Sequence, residues 1–483
     1  MAVRTRSTRV LEREQSRRGP GAARSAGSAV TLSVTDGGLR IVTESIPGVR
    51  SVSVGIWVAV GSVDETPALA GASHYLEHLL FKGTRKRSGH EIASIMDAVG
   101  GEFNAFTSHE YTCYYTHVLS EQAELAIDVV SDVVLDARVA ATDVEVERQV
   151  IQEEIAMRDD DPEDTLADAF AETVFAGHPV AGPVIGSGQT VAAMTRTQIA
   201  GYYRRRYTPD KMVVSVAGDV EHGDVVRWVK KAFGARLAGP VAPAEPRLTI
   251  GRAAADRRIR VLDKDSEQAH LMVGGPGLAR DDPRRYAMAV LTTALGGGMS
   301  SRLFRTVREE HGLAYSCYAT CHSYADVGAF SIYAGCHPAN LAQVATLIRA
   351  ELAALTEYGL TDDEVQRAKG QLTGSLVLGL EDTESRMSRI GRNLLVRKTF
   401  TSVDRELSAI AAVQRAGVDA LARELLAAPL SAAVVGPYRR QGDLPASVRA
   451  LAAEKTGPAA TVPRTGGGRQ AAKVAKVARR SGR

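Results

Sequence analysis

Gly71-Ala-Ser-His74-Tyr-Leu-Glu77-His78-Leu-Leu-Phe81 is the stretch on which the reading of this chain turns. Taken as a helix, it sets His74 and His78 one turn apart and pointing the same way, so two imidazoles can hold a single zinc ion. Glu77 shares that face, where a carboxylate can take a proton from an attacking water and pass it to a leaving amine. With this composition, a His-x-x-Glu-His run arises by chance in roughly one or two of a hundred such proteins. The bland alternative is a helix with two surface histidines, and a third ligand decides against it.

A catalytic zinc takes three protein ligands and keeps one position open. The helical stretch Val144-Glu-Val-Glu147-Arg-Gln-Val-Ile-Gln-Glu153-Glu154-Ile155 supplies carboxylates. Glu147 and Glu154 are two turns apart and share a face, whereas Glu153 is rotated off it. The pattern alone leaves Glu147 and Glu154 as equal candidates.

Outward from these two helices the apolar pattern alternates between the strand and helix periods. Val30–Val34, Leu39–Thr43 and Val52–Val60 read as strands, and His90–Val99 as a helix with Ile92, Ile95, Met96 and Val99 on one face. Gly101–Thr107 and Tyr111–Leu119 form a hairpin, several helices follow, Met212–Ala217 is a strand, and a helix ends near Phe233. The polar, proline-rich run Gly239–Pro246 reads as a linker. The second half repeats the order, with strands at Ile259–Leu262 and His270–Val273 and helices at Pro283–Leu295 and Ser301–Glu310. A hairpin over Ala314–Ala334, more helices and a last strand at Ala432–Val435 complete it. Glu163-Asp-Thr165 and Glu381-Asp-Thr383 echo each other, each after a long helix. The expectation is an α+β protein of two homologous domains, each an antiparallel-rich sheet packed with helices.

Composition and charge set the outer limits. The 483 residues are 45% hydrophobic and 24% charged, ordinary for globular protein. No apolar run approaches the roughly 18 residues a membrane span needs. Four cysteines cannot make a disulfide scaffold, which favours a reducing compartment. Residues 1–28 carry +5 and residues 441–483 carry +7, so a net charge of +3 leaves about −9 for the body. Both ends are rich in Gly, Ala, Ser, Pro and Arg and read as disordered basic tails, and the acidic body argues against a dedicated nucleic-acid binder. The expected division is 1–28 tail, 29–237 first domain, 238–250 linker, 251–440 second domain and 441–483 tail.

The inverted order His-x-x-Glu-His resembles the pitrilysin, or insulinase, family of zinc metallopeptidases, and the resemblance runs from about residue 31 to 436. It implies two bowl-shaped halves of a peptidase chamber and one Zn2+ per chain. Glu154, 76 residues after His78, matches the family's third ligand, Glu147 the glutamate that hydrogen-bonds a ligand histidine, and Glu77 the base. Gly100-Gly-Glu-Phe-Asn104-Ala105-Phe-Thr107 matches the edge strand to which substrate adds as another strand. The second half lacks the motif: aligned on the Glu-Asp-Thr echo, Glu154 falls opposite Leu372. It carries instead Arg308 and Tyr315, seven apart, which match an Arg/Tyr pair that holds the substrate backbone.

The resemblance thus implies an endopeptidase for peptides and unfolded segments, built as a homodimer with composite sites. Its alternatives are a processing-peptidase-like subunit and a noncatalytic structural subunit. The implied location is a bacterial cytoplasm, with the mitochondrial matrix second. Cys317, Cys321 and Cys336 read as reduced structural thiols, Gly296–Gly298 as a turn without a phosphate-loop ending, and His109 has no assigned role.

Overall fold

The β-branched run Ser51–Val58 and the apolar run Met212–Gly218 lie side by side in the first of two sheets. The computed structural model describes residues 4–13, 28–238 and 259–453. In the first half the strands are β1 Thr5–Arg13, β2 Ala29–Thr35, β3 Arg40–Ser45, β4 Ser51–Val58, β5 Glu102–Thr107, β6 Thr112–Leu119 and β7 Met212–Gly218. In the second they are β8 Ile259–Asp263, β9 Ala269–Pro276, β10 Ala314–Ser323, β11 Gly328–Cys336 and β12 Ser431–Gly436. The sheet orders are β1-β2-β3-β7-β4-β6-β5 and β10-β11-β9-β12-β8.

Set side by side, β3-β7-β4-β6-β5 and β8-β12-β9-β11-β10 have one topology. The parallel pairs β3/β7 and β8/β12 occupy the same place, and the other pairings are antiparallel. The α+β duplication expected from the repeated pattern is therefore present in the strand order itself.

Strands β7, β11 and β12 are buried at every residue, which requires cover on both sheet faces. One face of each sheet is covered by its own half, for example helix α3 (Ala123–Asp136) on β4 and β6, after helices α1 (Ala72–Leu80) and α2 (Gly89–Ala98). The other face is covered by exchange. Helix α4 (Ala141–Asp160) leads into α5 (Pro162–Val174), which packs on β12, β9 and β8 of the second sheet. Its Leu166, Phe170 and Val174 meet Met272, Tyr333 and Val435 there. Reciprocally, the second-half helix Thr383–Arg392 packs on β4, β7 and β3, with Met387 and Ile390 against Trp57 and Val213. The two Glu-Asp-Thr echoes thus mark the two exchanged helices. A Cβ on Gly391 would stand 2.2 Å from Trp57 Nε1, which donates to Ser215 Oγ at 2.8 Å. Only glycine permits that approach.

The expected tail boundaries need correction. Composition and arginine content place Thr5–Arg13 in a disordered tail, yet it is strand β1, paired antiparallel with β2. Thr5, Thr8 and Val10 are strand formers, and a neighbouring edge supplies the hydrogen bonds that composition cannot reveal. At the other end Ala446–Ala453 is a helix packed on Leu341–Tyr358, with Leu444, Val448 and Leu451 buried in the second core. Its apolar spacing was masked by the basic charge that follows. Of the linker expected at 238–250, all but Ala238 lies outside the described residues, as do residues 454–483.

Candidate metal centre

Helix α1 starts at Gly71, whose φ of +94° and missing side chain leave the N-terminus without a cap of its own. A carboxylate from the preceding turn replaces it: Glu65 accepts from Gly71 N at 2.8 Å and Ser73 N at 2.6 Å. Burial pushes the Glu65 carboxyl up to about 7, against those two hydrogen bonds. Along α1 every residue is buried except His74, Glu77 and His78. Tyr75, Leu76, Leu79 and Leu80 anchor the helix in the first core, so packing alone directs the three polar side chains outward.

Helix α4 crosses α1, and Tyr75 Oη donates to Val144 O at the crossing. Val144, Glu147, Ile151 and Ile155 are its buried face. Glu154 Oε2 lies 3.6 Å from His74 Nε2 and 3.5 Å from His78 Nε2. Donors held around one tetrahedral zinc at roughly 2.0–2.2 Å stand about 3.3–3.6 Å apart, so this trio has the spacing of a metal site. Among the described residues it is the one group of three His, Cys, Asp or Glu donors that converges, within 4.8 Å. Burial, helped by His78, lowers His74 to about 4, which keeps its imidazole neutral and able to ligate.

Glu147 stands behind the trio. Its Oε2 is 3.1 Å from His78 Nδ1 and its Oε1 2.5 Å from Lys82 Nζ. His78 is thus held through its second ring nitrogen, whereas His74 Nδ1 is buried without a hydrogen-bond partner. Of the two glutamates the pattern left open, Glu154 is the one beside both Nε2 atoms.

Glu77 accepts a hydrogen bond from Thr107 Oγ1 at 2.5 Å, and burial raises its pKa against that bond and the nearby His78. Thr107 ends β5, the free edge of the first sheet, where Asn104 is exposed and Ala105 half-buried. The Asn104 side chain accepts from Ala105 N at 2.8 Å. Arg308 lies on the π-helix Phe304–Glu310, part of the stretch read as a helix from Ser301. Its guanidinium sits 4.8 Å from the Phe304 ring centroid and 4.7 Å from that of Tyr315, and donates to Tyr315 O at 3.1 Å. Tyr315 is 77% exposed. All four cysteines are free.

Sequence reasoning missed Glu65 and Thr107. Glu65 lies outside the helix it caps, and Thr107 belongs to the quoted edge strand but shows no chemistry until its hydroxyl meets Glu77.

Comparison with known proteins shows the family. Residues 40–188 match the family model described as insulinase, peptidase family M16, and residues 193–372 match the M16 inactive domain. An uncharacterized zinc protease of Mycobacterium tuberculosis is 51% identical over 415 residues, covering 86% of this chain and 95% of that protein. One from Streptomyces coelicolor is 53% identical over 409 residues, covering 83% and 88%, and one from Bacillus subtilis is 39% identical over 408, covering 84% and 98%. Among solved structures, a Helicobacter pylori protease superposes with a TM-score of 0.76 at 22% identity, covering 84% of this chain and 99% of that one. A Pseudomonas fluorescens structure described as a peptidase M16 inactive domain gives 0.77 at 19%, covering 86% and 99%. These two share the fold. No helix among the described residues is long and apolar enough to cross a membrane. With about half of the aligned residues identical to those of proteins named as zinc proteases, over most of their length, the chain belongs to the insulinase family of peptidases, M16.

Proposed function

We propose that this chain is a zinc-dependent endopeptidase that hydrolyses peptides and unfolded segments in the cytoplasm of a bacterium. The observation that carries the reading is the convergence of His74, His78 and Glu154 beside a hydrogen-bonded Glu77 and a free sheet edge. One Zn2+ per chain would be held by His74, His78 and Glu154, with Glu147 fixing the His78 ring; when bound it supplies Lewis acidity toward a carbonyl and a water. Glu77, with a carboxyl raised by burial, takes the proton from the attacking water and delivers it to the leaving amine. Strand β5, around Asn104 and Ala105, offers unpaired backbone to an extended substrate, so recognition reads peptide backbone more than side chains.

Arg308 and Tyr315 complete the reading as a substrate-holding pair. Tyr315 is largely exposed, and the Arg308 guanidinium lies against the Phe304 and Tyr315 rings of its own half. That supports a homodimer in which the pair of one chain serves the zinc site of its partner. The bacterial relatives and four free cysteines support the compartment.

The deciding experiment pairs metal analysis with a quenched peptide library. Wild type should hold about one zinc per chain and cleave; Glu77→Gln should keep the metal and lose several orders of magnitude in turnover. Retained activity in Glu77→Gln, or no zinc in wild type, would remove the proposal.

A further inference from the structure

Among the described residues, the side chain that hydrogen-bonds the Glu77 carboxylate is Thr107, and it comes from a different element. Its hydroxyl also lies 3.4 Å from Thr112 Oγ1, but the Thr112 hydroxyl donates to Val60 O at 3.0 Å. A carboxylate only accepts, so the Thr107 hydrogen goes to Glu77 Oε2 at 2.5 Å rather than to the more distant Thr112 oxygen. The bond occupies one carboxylate oxygen from the strand side and leaves the other, Oε1, for chemistry.

The backbone that carries Thr107 is held firmly. In the turn that follows, Ser108 N donates to Tyr111 O at 2.8 Å and Val63 N to His109 O at 2.9 Å. Glu110 accepts from Ala325 N of the second half at 3.0 Å and is ion-paired with Arg280. A donor fixed to this degree can select one rotamer of a carboxylate on a neighbouring helix, and misplacement of a reacting group by about 1 Å can cost a hundredfold in rate.

We infer that Thr107 is a positioning residue: its hydroxyl sets the orientation of the Glu77 carboxylate. Strand β5 then has two tasks, presenting backbone to the substrate and aiming the base, which couples substrate alignment to proton transfer through one strand. The inference rests on the endopeptidase reading for its kinetic consequence, but not for its geometry.

The test compares Thr107→Val, which keeps the β-branched shape and removes the donor, with Thr107→Ser, which keeps the donor. Thr107→Val should lower kcat about ten- to hundredfold with KM and zinc content unchanged, and Thr107→Ser should restore kcat to within about threefold of wild type. Crystal structures of the metal-free proteins give a second readout. Glu77 should occupy a single rotamer in wild type and Thr107→Ser, and a shifted or divided one in Thr107→Val. Wild-type kcat with an unmoved Glu77 in Thr107→Val would overturn the inference, as would equal losses in both variants through KM. If zinc-loaded wild type cleaves nothing, the endopeptidase reading fails and the Glu77 rotamers alone decide Thr107. Should Thr107→Val not fold, Thr107→Ala against Thr107→Ser makes the same comparison.

Discussion

Glu110, in the turn after β5, is ion-paired with Arg280 of the second half, and both side chains are nearly enclosed. Around the pair two hairpin tips interlock. Tyr324 lies edge-on to His109 with ring centroids 5.2 Å apart, and Asp326 is 3.3 Å from His178. The second half, which lacks the metal motif, therefore holds the end of the strand beside the candidate metal site.

Breaking this pair should be costly. Removing one member leaves a buried charge uncompensated, so Glu110→Ala or Arg280→Ala should each lose about 3–5 kcal/mol, whereas replacing both with apolar residues should cost much less. Urea titrations followed by tryptophan fluorescence measure it. Single variants as stable as wild type would mean the pair is solvated.

The Glu65 cap should make stability depend on pH in a defined direction. Its folded value, about 7, lies above the ordinary 4.5, so the folded chain keeps a proton that the unfolded chain releases between those values. The resulting stabilisation is full below pH 4.5 and is lost as pH rises through 7. Relative to Glu65→Gln, wild type should lose about 2–3 kcal/mol between about pH 5 and pH 8. Denaturation midpoints of the two proteins across that range test it, and a constant difference would count against a protonated Glu65.

Zinc affinity should separate the two glutamates of α4. Glu147→Gln should weaken binding by roughly 10- to 100-fold, because it acts through the His78 ring. Glu154→Gln should weaken it by much more, since a carboxylate beside both Nε2 atoms is neutralised. Competition with a zinc-sensitive dye gives both constants. The opposite order would exchange their roles.

Shared sites can be tested by complementation. Glu77→Gln and the double variant Arg308→Ala, Tyr315→Phe should each be nearly inactive. After dissociation and random remixing, half of the dimers are mixed and each has one intact site, so roughly one quarter of wild-type activity should return. Verified subunit exchange with no recovery would place each site within one chain.

How much of this could be read without coordinates differs from residue to residue. His74, Glu77 and His78 were legible because helix periodicity is local: once the segment is a helix, their shared face follows from 3.6 residues per turn. The duplication was legible for a similar reason, since the order of strand and helix periods is written along the chain. Glu147 and Glu154 could not be separated that way. They share a face but sit about 10 Å apart along the axis, and only the point where α1 crosses α4 selects Glu154 for the histidines. The exchange of α5 and Thr383–Arg392 was hidden as well, because an amphipathic pattern says that a face is buried but not against which sheet. Strand β1 and the capping of α1 by Glu65 depended likewise on partners distant or outside the segment. Local periodicity was thus settled by the sequence, whereas every choice between equivalent partners was made by how the helices and sheets cross in space.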